Sequence, residues 1–412
     1  MNILIIHEVN WKKKVILEFH EFPEMLSKFG HNVTVLDFEE GWTREKWWDI
    51  GYFRTYVEKG IYRVYPDGKI DLVRAPHLKV YILDRIFSMI THFFVIPRVV
   101  RSRNVEAIFL YSAPTNGFST VFWARRYKIP VIFRSIDKLH RMRHPFLRLP
   151  VYRSEQYVFR NSDRVLALTP KLKEYAISLG AGPSKVEVLL PGLNTNLFKP
   201  EGSAKGRLTE KSRRLLDSLG FKPDDRIVVF IGTFFDFSGV DDVLEDFNQI
   251  KKVIPNAKLL YVGDGPLKNK LDEFISKNEL GDDVKITGFV DFNRVPDYIN
   301  LAQVGIIPFR LLDVTAEIMP TKILQYLACG LPVVSTPLPG LMDVLRGEEQ
   351  GVIYVDPGEK YIKAIISLLS DEESARKIGQ NGLKYVVENH NWESSAKRLE
   401  NILFEEVKKK KG

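Results

Sequence analysis

The sequence predicts an α/β protein built as two doubly wound domains, each around a parallel sheet. Three observations point there. Short runs of Ile, Val, Leu and Phe alternate with amphipathic stretches long enough for helices along almost the whole chain. The alternation stops once, in a polar stretch between Phe198 and Arg226, and then begins again. A length of 412 residues, 45% hydrophobic and 27% charged, is enough to bury two such cores.

The opening residues read strand, loop, helix, strand: Asn2 to His7, Glu21 to Phe29 and Asn32 to Leu36, with Gly30 where the helix stops. Pro66-Asp67-Gly68 is turn chemistry between two alternating runs, Tyr62 to Tyr65 and Lys69 to Val73, and predicts a small hairpin. Val80 to Val100 is apolar but broken by Asp84, Arg85, His92, Pro97 and Arg98, so a buried or interfacial helix is expected there and not a membrane span. Strands follow at Ala107 to Leu110, Val131 to Phe133, Arg164 to Leu168 and Val186 to Leu190. The second half repeats the pattern with Ile227 to Ile231, Lys258 to Val262, Val284 to Ile286, Val304 to Ile307, Pro332 to Ser335 and Gly351 to Val355, a second Rossmann-like unit. The domains are accordingly set at 1–200 and 201–390. A helix near Trp392 to Val407 follows, and Lys408 to Lys411 read as a frayed solvated tail.

Charge is unevenly spread. Residues 1–200 carry 31 Lys and Arg against 19 Asp and Glu, whereas 201–412 carry 29 against 33. The basic half suits an anionic partner such as a phospholipid surface or a lipid phosphate; nucleic acid is not expected, because no recognised binding motif accompanies the charge. The single cysteine, Cys329, excludes an intramolecular disulfide and fits a reducing, cytoplasmic setting. The first residues do not resemble a secretion signal, and Asn32-Val33-Thr34, although an acceptor triplet, lies inside an expected strand.

Two stretches carry chemistry. Val228 to Ile231 runs as a buried strand into Gly232-Thr233-Phe234-Phe235-Asp236-Phe237-Ser238-Gly239, a loop whose backbone N–H groups suit a phosphate just before a helix near Asp241. In Ala316 to Val334, Pro320 is placed in the first turn of a helix that Gly330 ends. Lys322 and Gln325 share one face, opposite the apolar Ile323, Leu324 and Leu327. A lysine at a helix start is disfavoured unless an anion is nearby.

This second stretch resembles the donor-site motif of glycosyltransferase family 4: an acid, seven residues, a second acid, then Ala-x-Gly-x-Pro-Val-Val. Here Glu317 is the first acid, Gln325 stands at the second position, and Ala328-Cys329-Gly330-Leu331-Pro332-Val333-Val334 completes it. Four further segments are similar to the family in the same order: Leu190-Pro191-Gly192-Leu193-Asn194 ending in Phe198-Lys199-Pro200, Val262-Gly263-Asp264-Gly265-Pro266, Thr287-Gly288-Phe289-Val290 and Ser335-Thr336-Pro337-Leu338-Pro339-Gly340. The resemblance is close over the second half and loose over the first. It implies the GT-B fold, two Rossmann-like domains with parallel sheets facing across a cleft, with residues 391–412 crossing back to the N-terminal domain.

The resemblance further implies sugar transfer from a UDP- or GDP-sugar to a glycan or lipid-linked acceptor, with retention of configuration and closure of the two domains over the site. Glu317 would meet the donor sugar and Lys322 would neutralise the diphosphate leaving group. Gln325 would hold the ribose, and Gly288, Phe289 and Val290 the base. Gly232, Thr233, Ser238 and Gly263 would surround the phosphates, with Thr233 and Ser238 where the family often has Arg and Lys; Arg310 is a candidate to compensate. For the family's N-terminal-domain His, Phe133-Arg134-Ser135-Ile136-Asp137-Lys138-Leu139-His140 offers Asp137 and His140 as candidates, with a surface His as the commoner explanation. No Asp-x-Asp triplet or zinc spacing is present, so neither metal nor cofactor is expected. On the acceptor side, Trp42, Trp47, Trp48, Tyr52, Phe53 and Tyr56 with Arg44, Lys46 and Arg54, and the basic stretch Arg134 to Arg153, suit peripheral contact with the inner face of a membrane or a sugar platform, or else core aromatics beside a solvated basic face. Two rival readings stay open: a sugar-nucleotide epimerase and a catalytically silent partner subunit.

Overall fold

The computed structural model describes the whole chain except residues 15, 39–48, 81–82, 112, 142–143, 202–208 and 317. It resolves into two compact units, Met1–Gly192 with Trp392–Gly412, and Leu193–Asn391.

The first unit is built on β1 (Asn2–Ile6), β2 (Asn32–Asp37), β3 (Gly51–Tyr52), β4 (Tyr56–Ile61), β5 (Ile70–Arg74), β6 (His77–Leu78), β7 (Ala107–Leu110), β8 (Val131–Ser135), β9 (Arg164–Ala167) and β10 (Val186–Val188). Eight of these form one sheet in the order β10-β9-β8-β7-β1-β2-β5-β4, parallel except for β4, while β3 and β6 make a two-stranded ribbon. Strand periodicity divides the core between the two faces. Leu4, Ile6, Ile108 and Leu110 point to one layer, under helices Leu83–Ser102, Gly117–Tyr127, Pro145–Asn161 and Pro170–Ser178. Their neighbours Ile3, Ile5, Ala107 and Phe109 point to the other, under helix Glu18–Lys28 and the terminal helix Trp392–Lys411.

The second unit has six parallel strands, β11 (Arg226–Ile231), β12 (Ala257–Val262), β13 (Val284–Ile286), β14 (Val304–Ile307), β15 (Val333–Ser335) and β16 (Val352–Tyr354), in the order β13-β12-β11-β14-β15-β16. The strand order reverses at β11, which pairs with β12 on one side and β14 on the other. Such a reversal leaves a crevice at the carboxyl ends of the strands, where ligands of open α/β sheets bind.

Several expectations shift. The hairpin exists, but its first strand is Tyr56–Ile61, because Glu24 accepts the N–H groups of Arg63, Val64 and Tyr65 at 2.7, 2.9 and 2.6 Å and so takes these residues out of the ladder. The chain passes from the first unit to the second at Gly192/Leu193, before the polar stretch, where the Leu193 N–H donates to the His390 carbonyl at 2.7 Å within the second unit. Lys408 to Lys411 are not frayed. They continue the terminal helix, where Lys409, Lys410 and Lys411 meet Glu406, Asp163 and Glu106 at 2.7 to 2.9 Å.

Candidate functional site

In the second unit the loops after β11, β12 and β13 meet backbone to backbone. Phe234 N–H donates to the Asp264 carbonyl at 3.0 Å, and Leu267 N–H returns the bond to Phe234 at 3.1 Å. Gly263 and Gly288 form an isolated bridge. Gly263 has φ +148°, and a Cβ there would lie 2.1 Å from the Gly232 carbonyl oxygen, so only glycine allows this approach.

Helix Lys322–Ala328 is locked onto β11 by a buried bond from the Ile231 N–H to the Tyr326 hydroxyl, 2.7 Å. That registration brings the Lys322 ammonium to the switch point. Its Nζ lies 4.0 Å from the ring centre of Phe230 on β11 and 5.1 Å from that of Phe309 beyond β14. Gly232, at φ +127°, leaves the space it needs, since a Cβ there would stand 2.6 Å from Nζ. Burial pushes this ammonium down to about 7, and no carboxylate among the described residues opposes the shift. A half-desolvated cation over two aromatic rings at the crevice is suited to an anion.

The remaining expected donor-site residues divide. Gly232, Gly263 and Gly288 belong to this group of loops, half-buried Val290 lies in the loop after β13, half-buried Gln325 lies on helix Lys322–Ala328, and Phe289 is 79% exposed. Thr233 is exposed. Ser238 is the exception: it is fully buried, and its hydroxyl has no hydrogen-bond partner among the described residues, because it closes a tight turn whose next residue, Gly239, packs against the Pro308 carbonyl. Arg310 is spoken for, held by Asp242 in a two-point pair at 2.7 and 3.0 Å and by Asp241 at 3.0 Å. Pro320 lies two residues ahead of the helix rather than in its first turn. Glu317 falls outside the described residues, as do Trp42, Trp47, Trp48, Arg44 and Lys46.

In the first unit, Asp137 follows β8, and burial, reinforced by repulsion from Glu18, pushes its carboxyl up to about 7. Glu18 itself is held by the fully buried Arg134, at 2.8 and 2.7 Å. His140 is no loose surface residue. Its Nδ1 lies 2.8 Å from buried Glu155, which also accepts the Leu139 and His140 N–H groups, and its ring stacks on Tyr175. Asp137 is thus set beside the Glu18 charge, whereas His140 sits in a separate, hydrogen-bonded setting on Glu155. Arg134, expected on a basic acceptor-side stretch, is instead fully buried on Glu18. Sequence reasoning missed Glu155 and His7; the last follows β1 at the switch point between β1 and β7, is buried, and is pushed down to about 3, chiefly by desolvation. Only the position of His7 just beyond an apolar strand could have signalled it.

Residues 211–385 match the family model described as Glycosyl transferases group 1, and residues 19–192 match the one described as Glycosyl transferase 4-like domain. A GDP-mannose-dependent alpha-(1-6)-phosphatidylinositol monomannoside mannosyltransferase of Mycolicibacterium smegmatis is 26% identical over 62% of this chain and 66% of its own. The Mycobacterium tuberculosis protein of that name is 23% identical over 74% of this chain and 77% of its own. A chitobiosyldiphosphodolichol beta-mannosyltransferase of Candida albicans is 23% identical over 70% of this chain and 64% of its own. Among solved structures, sucrose-phosphate synthase from Thermosynechococcus elongatus superposes with a TM-score of 0.75 at 17% identity, covering 98% of both chains. Anabaena HepE in complex with UDP-glucose superposes at 0.72 and 14% identity, over 98% of this chain and 100% of that one. Two parallel-sheet α/β units are the shared fold.

Proposed function

This chain belongs to the group 1 glycosyltransferases, with the family-4-like domain ahead of the group 1 domain, and from that membership we propose that it moves a sugar from a nucleotide-diphosphate donor to a glycan or lipid-linked acceptor. The observation that carries the donor half is the Lys322 ammonium seated against Gly232 at the switch point of the second unit. A diphosphate beside that cation would gain a charge-assisted contact, and the departing nucleotide diphosphate would be stabilised where its charge develops. Exposed Phe289 offers a stacking face for the base, and Gln325 an amide for the ribose. Glu317 is assigned to the donor sugar on the family motif alone. The reading includes retention of configuration and no bound metal, with Lys322 and main-chain N–H groups balancing the diphosphate.

The lipid-linked acceptor is supported by the phosphatidylinositol-mannoside and dolichol-linked names of the relatives and by the basic first half of the chain, which suits peripheral contact with an anionic membrane surface. Calorimetry with a panel of UDP- and GDP-sugars, on the native chain and on Lys322→Ala, tests the donor site. One donor should bind the native chain, and affinity should fall on the order of a hundredfold in the variant, the scale of a lost charge-assisted contact to an anion. Uptake of none of the panel would end the proposal. Transfer is then separated from the silent-partner and epimerase readings by the products: nucleotide diphosphate plus a glycosylated acceptor, against no product or an altered sugar on an intact nucleotide.

A further inference from the structure

One face of the first unit breaks the rule that exposed apolar side chains are scattered. Helices Leu83–Ser102, Gly117–Tyr127 and Pro145–Asn161 lie side by side over the same sheet layer. Trp123 Nε1 donates to the Phe93 carbonyl at 2.7 Å to join the first two, and Phe118 meets Tyr157 at 5.3 Å to join the second and third. Ile90 and Phe94 are four apart on one helix, Phe118 and Phe122 four apart on the next, so each pair forms a stripe, and all four are exposed. The stripes are continuous: Phe93 lies 5.6 Å from both Phe94 and Phe122, and Phe122 lies 6.2 Å from Phe118. The third helix begins with six consecutive exposed residues, among them Phe146 at 65% and Leu149 at 59%.

Among the described residues, the exposed charges on these three helices are all of one sign. The three helices contain only two carboxylates, Asp84 and Glu155, and both are buried, whereas Arg98, Arg148 and Arg153 are exposed. A symmetric contact of these helices with a second copy would set their arginines against one another, and the helices themselves offer no exposed acid to answer them. An anionic lipid surface answers all of them at once and accepts the aromatic side chains at the head-group boundary. No helix among the described residues is long and apolar enough to cross a membrane, so the contact is peripheral. Resting on the lipid-linked-acceptor reading above, we propose that this three-helix face of the first unit docks on a bilayer rich in anionic phospholipid, with Phe94, Phe118, Phe122, Phe146 and Leu149 entering the interface and the exposed arginines selecting negative head groups.

Flotation of the full chain with vesicles of phosphatidylcholine alone, or of phosphatidylcholine and phosphatidylglycerol in equal parts, tests the surface. The native chain should float with the anionic vesicles. Replacing Phe118, Phe146 and Leu149 together by Ser should lower its partition coefficient on the order of tenfold or more, and Arg148→Glu with Arg153→Glu should remove the preference for phosphatidylglycerol. Both variants should keep the native unfolding midpoint and donor-dependent nucleotide release in vesicle-free buffer, since every altered side chain is exposed. No flotation of the native chain, or equal flotation of the triple variant, overturns the proposal. So does a native dimer in sedimentation that the triple variant dissociates, which would make the face a contact between copies. Native flotation without sugar transfer from any donor would leave the surface standing and remove the transferase reading instead.

Discussion

Burial changes the chemistry of Lys322 strongly, holding its ammonium at about 7 while the same group in the unfolded chain titrates near the ordinary 10.5. Between those values the unfolded chain holds the extra proton, so this residue's cost to stability is full below about pH 7 and disappears as pH rises past the unfolded value. A bound diphosphate favours the charged form. At about pH 8, therefore, donor binding should take up close to one proton, read from the dependence of calorimetric enthalpy on buffer ionisation; binding without proton uptake would contradict the placement of the diphosphate at Nζ. Glu21 titrates in the opposite sense. Desolvation raises its carboxyl to about 7, so its contribution to stability is present below the unfolded value near 4.5 and is lost as pH rises to 7. Glu21→Gln should raise stability by about 3 kcal/mol at about pH 8 and leave it nearly unchanged at about pH 4, measured by urea unfolding at both. Equal effects at the two values would show that packing, not charge, is what Glu21 contributes.

At the scale of elements, glycine placement separates strain from function. Gly30 and Gly232 both hold positive φ, +89° and +127°, but a Cβ at Gly30 meets nothing within 4 Å, whereas one at Gly232 meets the Lys322 Nζ. Gly30→Ala and Gly232→Ala should each cost about 1–3 kcal/mol of stability, while only the second should weaken donor binding, by roughly tenfold. Loss of binding in both, or in neither, would separate Gly232 from the lysine seat. Much of the strand pattern was legible beforehand: the ends of β7, β13 and β14 agree with the sequence reading to the residue, because short runs of mostly apolar residues bounded by polar or turn residues leave little freedom in a parallel sheet. The hairpin was displaced because Glu24, nearly forty residues away along the chain, captures three N–H groups that the local pattern assigned to the ladder. In the site, Lys322 and the glycine loops were visible as motif and spacing. The burial of Ser238 and the capture of Arg310 by Asp241 and Asp242 were not, since both depend on where a neighbouring loop comes to rest.

For the whole molecule, the terminal helix Trp392–Lys411 is part of the first unit although it follows the second in sequence. Trp392 packs edge-on against Phe22 with ring centres 5.0 Å apart, and Glu400 meets His31 at 2.7 Å. Leu399, Ile402, Leu403 and Val407 fill the same core. Deleting 392–412 removes five large apolar side chains worth about 8–15 kcal/mol together, comparable with the whole stability of a domain. Hydrogen exchange on the truncated chain should show lost protection across 1–192 and retained protection across 193–391; protection kept in 1–192 would mean that the helix is dispensable. The amino-acid order alone determined two α/β units, most of the parallel strand positions, the basic first half and the family motif around Lys322, because periodicity and spacing are local properties that survive without knowledge of partners. Only the tertiary structure decided which charges are free and which are paired, that Gly232 makes room for an ammonium, that His140 is bound to Glu155, and that the exposed aromatic surface belongs to three helices of the first unit, because each of these turns on contacts between residues far apart in the chain.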